Sequence, residues 1–380
     1  MNQHDIIERL IGFPTVSRDS NLALIHFIAD LLDSHGIEAR IITNEDGSKA
    51  NLHATVGPNV EGGVVLSGHT DVVPIDGQDW HTDPFKASLT TNGLTGRGSA
   101  DMKAFCGIAL SLVGDMGKLR KPIHLAFSYD EEVGCLGAPA LISALTERLP
   151  KPAAIIVGEP TNMQVVTRHK GIVNINTRVT GFEAHSSLQH LGVPAVMYAA
   201  RLINWLAERQ DQCRREAAPD SPFEPPHTTL HCGVINGGTA HNITARQCDF
   251  VTDIRALPGE DPLAYVAEFK RFATETLLPQ MQAVNAASGF EFDVTANVPA
   301  FFSNGDDDAV RIARQLTGEN DCHGVAFASE CGQFQEAGYP VVMCGPGSID
   351  QAHQPNEFIA LDQISACDTF VRRLIDRLSA

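Results

Sequence analysis

The sequence predicts an α/β sandwich domain interrupted by an inserted α+β lid. Three observations predict it. Short apolar runs end in polar or glycine-bearing turns, helical patterns lie between them, and after Gly171 this alternation gives way to a β-α-β-β-α order.

Along the chain, His4 to Ile11 and Leu22 to Leu32 place apolar residues at helical spacing. GGVVLSGHTD (62–71) reads as the first buried strand, because a strand covered on both faces is nearly continuous in apolar residues. Asp101 is placed to N-cap a helix with Phe105, Ile108, Ala109 and Leu112 on one face. PIHLAFSYDEE (122–132) and PAAIIVGEPT (152–161) are two more buried strands. In the insert, INTRV (175–179) is a strand, Pro194 to Arg209 a helix, Thr229 to Val234 and Cys248 to Ile254 strands, and Pro262 to Leu278 a helix. Gln212 to His227, rich in proline and charge, reads as a surface connection. Strand-like EFDVTANVPAF (291–301), helical AVRIARQLTG (309–318) and the strand YPVVMCGPG (339–347) resume the first pattern. The expected divisions are 1–173 and 288–380 for the catalytic domain and 174–287 for the insert.

A chain of 380 residues favours two domains, and 43% hydrophobic with 19% charged residues is globular composition. The formal charge of -18 repels nucleic acid and anionic membranes, so neither is an expected partner. No apolar stretch is long enough to span a bilayer, and the N-terminus lacks the pattern of a signal peptide. Nine cysteines without C-x-x-C pairs fit reduced thiols, and a cytoplasmic location is the expectation.

The chemistry-bearing residues lie where the apolar strands run out: His69 and Asp71, then Glu131 and Glu132, then Glu159, and His353 beyond the last strand. In open α/β sheets, ligands collect at the carboxyl ends of strands. One histidine near a strand end is usually structural. Convergence of two histidines with an aspartate and three glutamates is different, because clustered carboxylates repel one another unless a cation neutralises them. Histidine and carboxylate without cysteine suit zinc or cobalt better than calcium. Two ions about 3.5 to 4 Å apart, sharing a carboxylate, would use all these groups. Asp101, in a glycine-rich turn before a helix, is either that shared carboxylate or a simple helix cap.

SGHTDVVP, GRGSADMK, YDEEVGCLGA and VGEPT, followed by GPGSIDQAHQPNEFI, together resemble the dinuclear-zinc aminoacylase and carboxypeptidase family over nearly the whole chain. That resemblance implies a zinc-peptidase-like catalytic domain with an inserted lid, and two zinc ions, with cobalt as a substitute. His69 and Glu159 complete one site, Glu132 and His353 the other, and Asp101 bridges them. It also implies a cis peptide after Asp101. Glu131 becomes the general base that takes a proton from the attacking water and passes it to the departing amine. Asp71 orients the His69 imidazole. From the lid, His185 in GFEAHSS becomes an oxyanion donor, and Asn242 in HNITARQ and Arg255 in DIRALPG bind the substrate. Arg255 has a second reading as a strand-end surface residue. Ala104 stands where relatives usually carry glycine, and alanine is the better helix former.

The implied reaction is hydrolysis of the amide bond of an N-acyl amino acid. GHTDVVPIDGQDWHTDPF, RHKG (168–171) and the ending GPGSIDQAHQPNEF are more similar to members that release acetate from N-acetylornithine than to the desuccinylases. Succinyl-diaminopimelate, acetylcitrulline and dipeptides remain open as substrates. A noncatalytic zinc-binding scaffold is a further alternative. Lids pair in this family, so a homodimer is expected, with the histidine of one subunit serving the site of the other.

Overall fold

A computed structural model describes residues 1–380. Helices α1 (Gln3–Ile11) and α2 (Leu22–Asp33) precede strands β1 (Ala39–Thr43), β2 (Ala50–Val56), β3 (Val64–His69), β4 (Ser88–Leu89) and β5 (Leu94–Thr95). Helix α3 (Ala104–Ser111), β6 (Ile123–Ser128), α4 (Ala138–Arg148), β7 (Ala154–Val157) and β8 (Val166–His169) follow. Next come β9 (Gly171–Thr180), α5 (Ala195–Arg215), β10 (Thr229–Gly237), β11 (Gln247–Ala256), α6 (Pro262–Arg271), α7 (Leu278–Gln282) and β12 (Gly289–Val298). The chain ends with β13 (Phe301–Phe302), α8 (Asp308–Thr317), β14 (His323–Val325), α9 (Cys331–Glu336), β15 (Val341–Met343), β16 (Phe358–Ile359) and α10 (Leu361–Ser379).

The chain forms two compact units, one of residues 1–168, 301–324 and 329–380, the other of 169–300 with 325–328. In the first, a nine-stranded sheet runs β1-β2-β6-β3-β7-β15-β8-β13, with β14 beside β8. Its centre is parallel, β6 beside β3, β3 beside β7 and β7 beside β15. Every residue of these four strands is buried. That double-sided cover explains their uninterrupted apolar runs. Helix α1 starts at a capping box in which Asn2 and Asp5 satisfy each other's backbone amides. Its Ile6, Ile7, Leu10 and Ile11 enter the same core as Leu66, Ile156 and the α10 residues Phe370 and Leu374.

The second unit is a four-stranded antiparallel sheet in the order β10-β11-β9-β12. Alternation in β9 buries Val173, Ile175 and Val179, which share a core with Leu202 and Leu206 of α5 and Phe269 of α6. The unit is wider than the expected 174–287. β12, grouped by sequence with the catalytic domain, pairs with β9 over Gly289↔Thr180 to Val298↔Ile172. Helix α5 also runs to Arg215, into the expected connection.

Two local expectations change. Asp101 does not cap α3: the cap position is Lys103, and the Asp101 backbone is extended (φ -124°, ψ 92°). Nor does α3 present one apolar face, for Ala104 to Leu110 are all buried. No helix is long and apolar enough to cross a membrane. All nine cysteines are free thiols.

Candidate active site

The register of the central sheet sets the site. His69 is the last residue of β3 and lies opposite Ser128, the last of β6, while Ser67 lies opposite Val157, the last of β7. Residues just beyond these ends therefore emerge side by side. With His69 at the end of β3 itself, they are Asp71, Glu131, Glu132 and Glu159.

The His69 Nε2 lies 3.0 Å from Asp101 Oδ1. The other oxygen, Asp101 Oδ2, is 3.5 Å from His353 Nε2, and His353 Nε2 is 2.9 Å from Glu132 Oε2. Asp101 thus offers one oxygen to each histidine. The Asp101–Met102 peptide is cis. His69, Asp101 and Glu132 bring ligand-type atoms within 4.8 Å of one another, and so do His69, Glu131 and Glu159. Either trio could hold a metal ion. Glu131 was expected as a base alone; here it shares a group with His69 and Glu159.

The electrostatics calls for a cation. Burial holds the carboxyls of Glu131 and Glu159 well above the usual range, and repulsion among the site's carboxylates adds to it. Burial and the Asp101 charge push Glu132 up to about 7. Burial alone would also raise Asp101, but hydrogen bonds from His353 and His69 outweigh it and hold that carboxylate below its ordinary value. The same bonds, to Asp101 and Glu132, lift His353 to about 10. Glu159 is buried, and its Oε1 has no hydrogen-bond partner within the protein. A buried carboxylate oxygen left unpaired is costly, and a divalent ion would complete it.

Asp71 acts differently from expectation. His69 Nδ1 is 2.9 Å from the Asp71 backbone carbonyl and 3.6 Å from its carboxylate, so the carbonyl orients the ring. The Asp71 carboxylate instead accepts from Ser17 Oγ (2.6 Å) and from the backbone amides of Glu131 (3.1 Å) and Glu132 (3.3 Å). It fixes the segment that carries both glutamates. Those glutamates do not alternate at a strand end, because β6 stops at Ser128 and Asp130 turns the backbone to φ 55°. Lys49 Nζ grips that aspartate at 2.6 and 2.8 Å.

Sequence reasoning missed several supports. Ser17 and Lys49 carry no motif and reach the site only through the fold. Cys135 donates its thiol to Glu131 Oε1 at 3.3 Å. Glu330, buried beside Ser67 Oγ (3.3 Å), is pushed up to about 7 by burial. The only available signal for Glu330 was a glutamate in an otherwise small, polar stretch, FASECGQ (327–333).

The other predicted residues belong to the second unit. His185 precedes a short 3₁₀ turn and accepts at Nδ1 from the Ser187 amide, 3.2 Å away. Nδ1 is then the acceptor nitrogen, and Nε2 carries the proton and can donate. Asn242 stands close by, since its carbonyl accepts from Ser186 N (2.9 Å) and His185 bridges to Ile243. Arg255, near the end of β11, is held by Asp253 at 3.0 Å and is not drawn into the His185 group by any hydrogen bond or ion pair.

Comparison with known proteins gives a consistent picture. Residues 65–377 match the model of the peptidase family M20/M25/M40. Acetylornithine deacetylase of Pasteurella multocida (strain Pm70) is 32% identical over 375 residues, covering 96% of this chain and 95% of the relative. Acetylornithine deacetylase of Yersinia pestis is 33% identical over 385 residues, covering 98% and 96%. An M20 family metallo-carboxypeptidase from Sulfolobus solfataricus superposes with a TM-score of 0.81 at 17% identity, over 100% of this chain and 99% of that one. A dinuclear metal-binding peptidase of the M20 family from Bacillus subtilis gives 0.65 at 14% identity, over 98% and 96%. At such low identities the last two show the shared fold.

Proposed function

The chain belongs to the peptidase family M20/M25/M40 and is a metal-dependent amidohydrolase, and from that premise we propose that it releases acetate from N-acetylornithine. The observation that carries the choice of substrate is similarity to acetylornithine deacetylases over 96 to 98% of the chain. His69 and Glu159 would hold one divalent ion and Glu132 and His353 a second, with Asp101 placed to serve both; the donor set suits zinc, with cobalt as a substitute. The chemistry such ions would supply is acidification of water and polarisation of the acyl carbonyl.

The protein's own groups do the rest. Glu131, whose proton affinity is raised by desolvation and by neighbouring carboxylates and which neither ion would need as a ligand, accepts the proton of the attacking water and delivers it to the amine. Asp71 holds Glu131 and Glu132 at the correct height through their amides. His185, protonated at Nε2, donates to the developing oxyanion, and Asn242 and Arg255 contact the substrate. Arg255 must leave, or share, its Asp253 partner to do so. The protein acts as a cytoplasmic homodimer paired through the second unit, with His185 serving the partner's site. Incubation of metal-loaded protein with N-acetylornithine, succinyl-diaminopimelate, acetylcitrulline and a dipeptide panel tests the substrate. Ornithine and acetate should appear fastest; faster turnover of any other member would displace this reading.

A further inference from the structure

Glu357 lies four residues after His353 and is 1% exposed. Its two oxygens are fully used. Oε1 accepts from the amides of Ala100 (2.8 Å) and Asp101 (3.1 Å), and Oε2 from the amide of Gly98 (3.0 Å) and from Arg97 Nη1 (2.8 Å). One carboxylate therefore gathers the turn that delivers Asp101. Arg97, also 1% exposed, continues the connection through Nη1 to the Gln354 carbonyl (3.3 Å) and through Nη2 to Gln78 Oε1. The Gln78 amide then donates to the His353 carbonyl at 2.8 Å.

The two segments are also joined along the backbone. β16 pairs with β5, Phe358 opposite Thr95 and Ile359 opposite Leu94, and Gly96 N donates to the Glu357 carbonyl at 2.9 Å. Between these fixed points the chain takes left-handed conformations at His353 (φ 62°), Asn356 (φ 59°) and Gly98 (φ 81°). Non-glycine residues hold such a conformation only where their surroundings determine it. At His353 the restraints are the Gln78 bond to its carbonyl and the contacts of its ring with Glu132 and Asp101. The ring itself is half exposed, so packing does not fix it.

We propose that Glu357, clamped by Arg97, is a positioning residue that sets Asp101 and His353 in a common register, so that the shared carboxylate and the second ion's histidine assemble together. The inference rests on the two-ion reading of the site. A buried ion pair by itself is weak evidence for stability. This one differs in its donors, which include the amide of the bridging residue itself, and in its second path to His353. Groups that orient a metal's ligands are commonly worth 10- to 100-fold in metal affinity.

Glu357→Gln keeps the shape but turns one acceptor into a donor, which then faces an N–H. Gln78→Ala, at a partly exposed position, cuts the path to His353 and keeps the Glu357–Arg97 contact itself, while Arg97 Nη2 loses its acceptor. Chelator-stripped proteins are titrated with Co²⁺, reading bound metal per chain and the visible absorption of each ion, with the thermal midpoint of the metal-free form as a control. Wild type should take up two ions. Glu357→Gln should bind the second at least about tenfold more weakly with an altered spectrum, and Gln78→Ala should change in the same direction by less. Should Glu357→Gln fail to fold, Gln78→Ala decides. Wild-type second-ion affinity and spectrum in the folded variants would overturn the proposal. Uptake of one ion by wild type would instead defeat the two-ion reading itself.

Discussion

Glu131 is distinguished by what surrounds it. Burial and the neighbouring carboxylates raise its proton affinity, the Cys135 thiol touches Oε1, and Asp71 holds its amide. An amide in its place keeps the shape and loses the proton carrier. Glu131→Gln should therefore still take up two ions while kcat falls by about 10²- to 10⁴-fold with little change in KM. Metal analysis beside steady-state kinetics checks it, and retention of most of the wild-type kcat would remove Glu131 from the reaction. His69, Glu132, Glu159 and His353 could be singled out because each comes after an apolar run read as a strand and lies in a motif of the resemblance, and the structure brings His69, Glu132 and His353 together around Asp101. Asp71 was legible as a participant but not in its role: whether a carboxylate or its own carbonyl meets an imidazole depends on backbone angles that residue spacing does not carry. Ser17, Lys49 and Glu330 were illegible, since contacts spanning 54, 81 and 263 residues are products of the fold.

The strand ends stay in place because their elements pack without spare room. A β carbon on Gly158, between β7 and Glu159, would fall 2.2 Å from the ring of Phe105 on α3. Phe105 is itself 1% exposed and has nowhere to move. Gly158→Ala should thus cost about 1 to 3 kcal/mol of stability and shift Glu159, lowering metal affinity as well. Urea unfolding and metal titration of the variant test this, and an unchanged denaturation midpoint would contradict the packing. α3 was legible as a helix, but its register of apolar residues hid the fact that it is buried all round. β12 was legible as a strand, while its sheet was not. Alternation in EFDVTANV says that one face is covered, but not which strand lies alongside, and that strand, β9, begins more than a hundred residues earlier.

For the whole molecule, two units and the catalytic fold followed from the order of elements, and the family from five motifs. The boundary at Ala300 did not, because pairing of β12 decides it. Substrate choice was readable only as likeness to relatives, for pocket shape has no local signal in a sequence. Dimer action is testable by complementation. Glu131→Gln and His185→Ala chains are each expected to be inactive; after subunit exchange, half the dimers are mixed and carry one intact site if His185 acts across the interface. Activity should then recover to about a quarter of wild type. Absence of recovery despite demonstrated exchange would confine His185 to its own chain or exclude it from the reaction. The claim beneath all of these is that the cluster around Asp101 is a two-ion hydrolytic centre. The most direct measurement is the rate of acetate release from N-acetylornithine by chelator-stripped protein as Zn²⁺ or Co²⁺ is added back. The stripped protein should be silent, and its activity should rise with added metal and saturate by two equivalents per chain; undiminished hydrolysis after metal removal would exclude a two-ion centre.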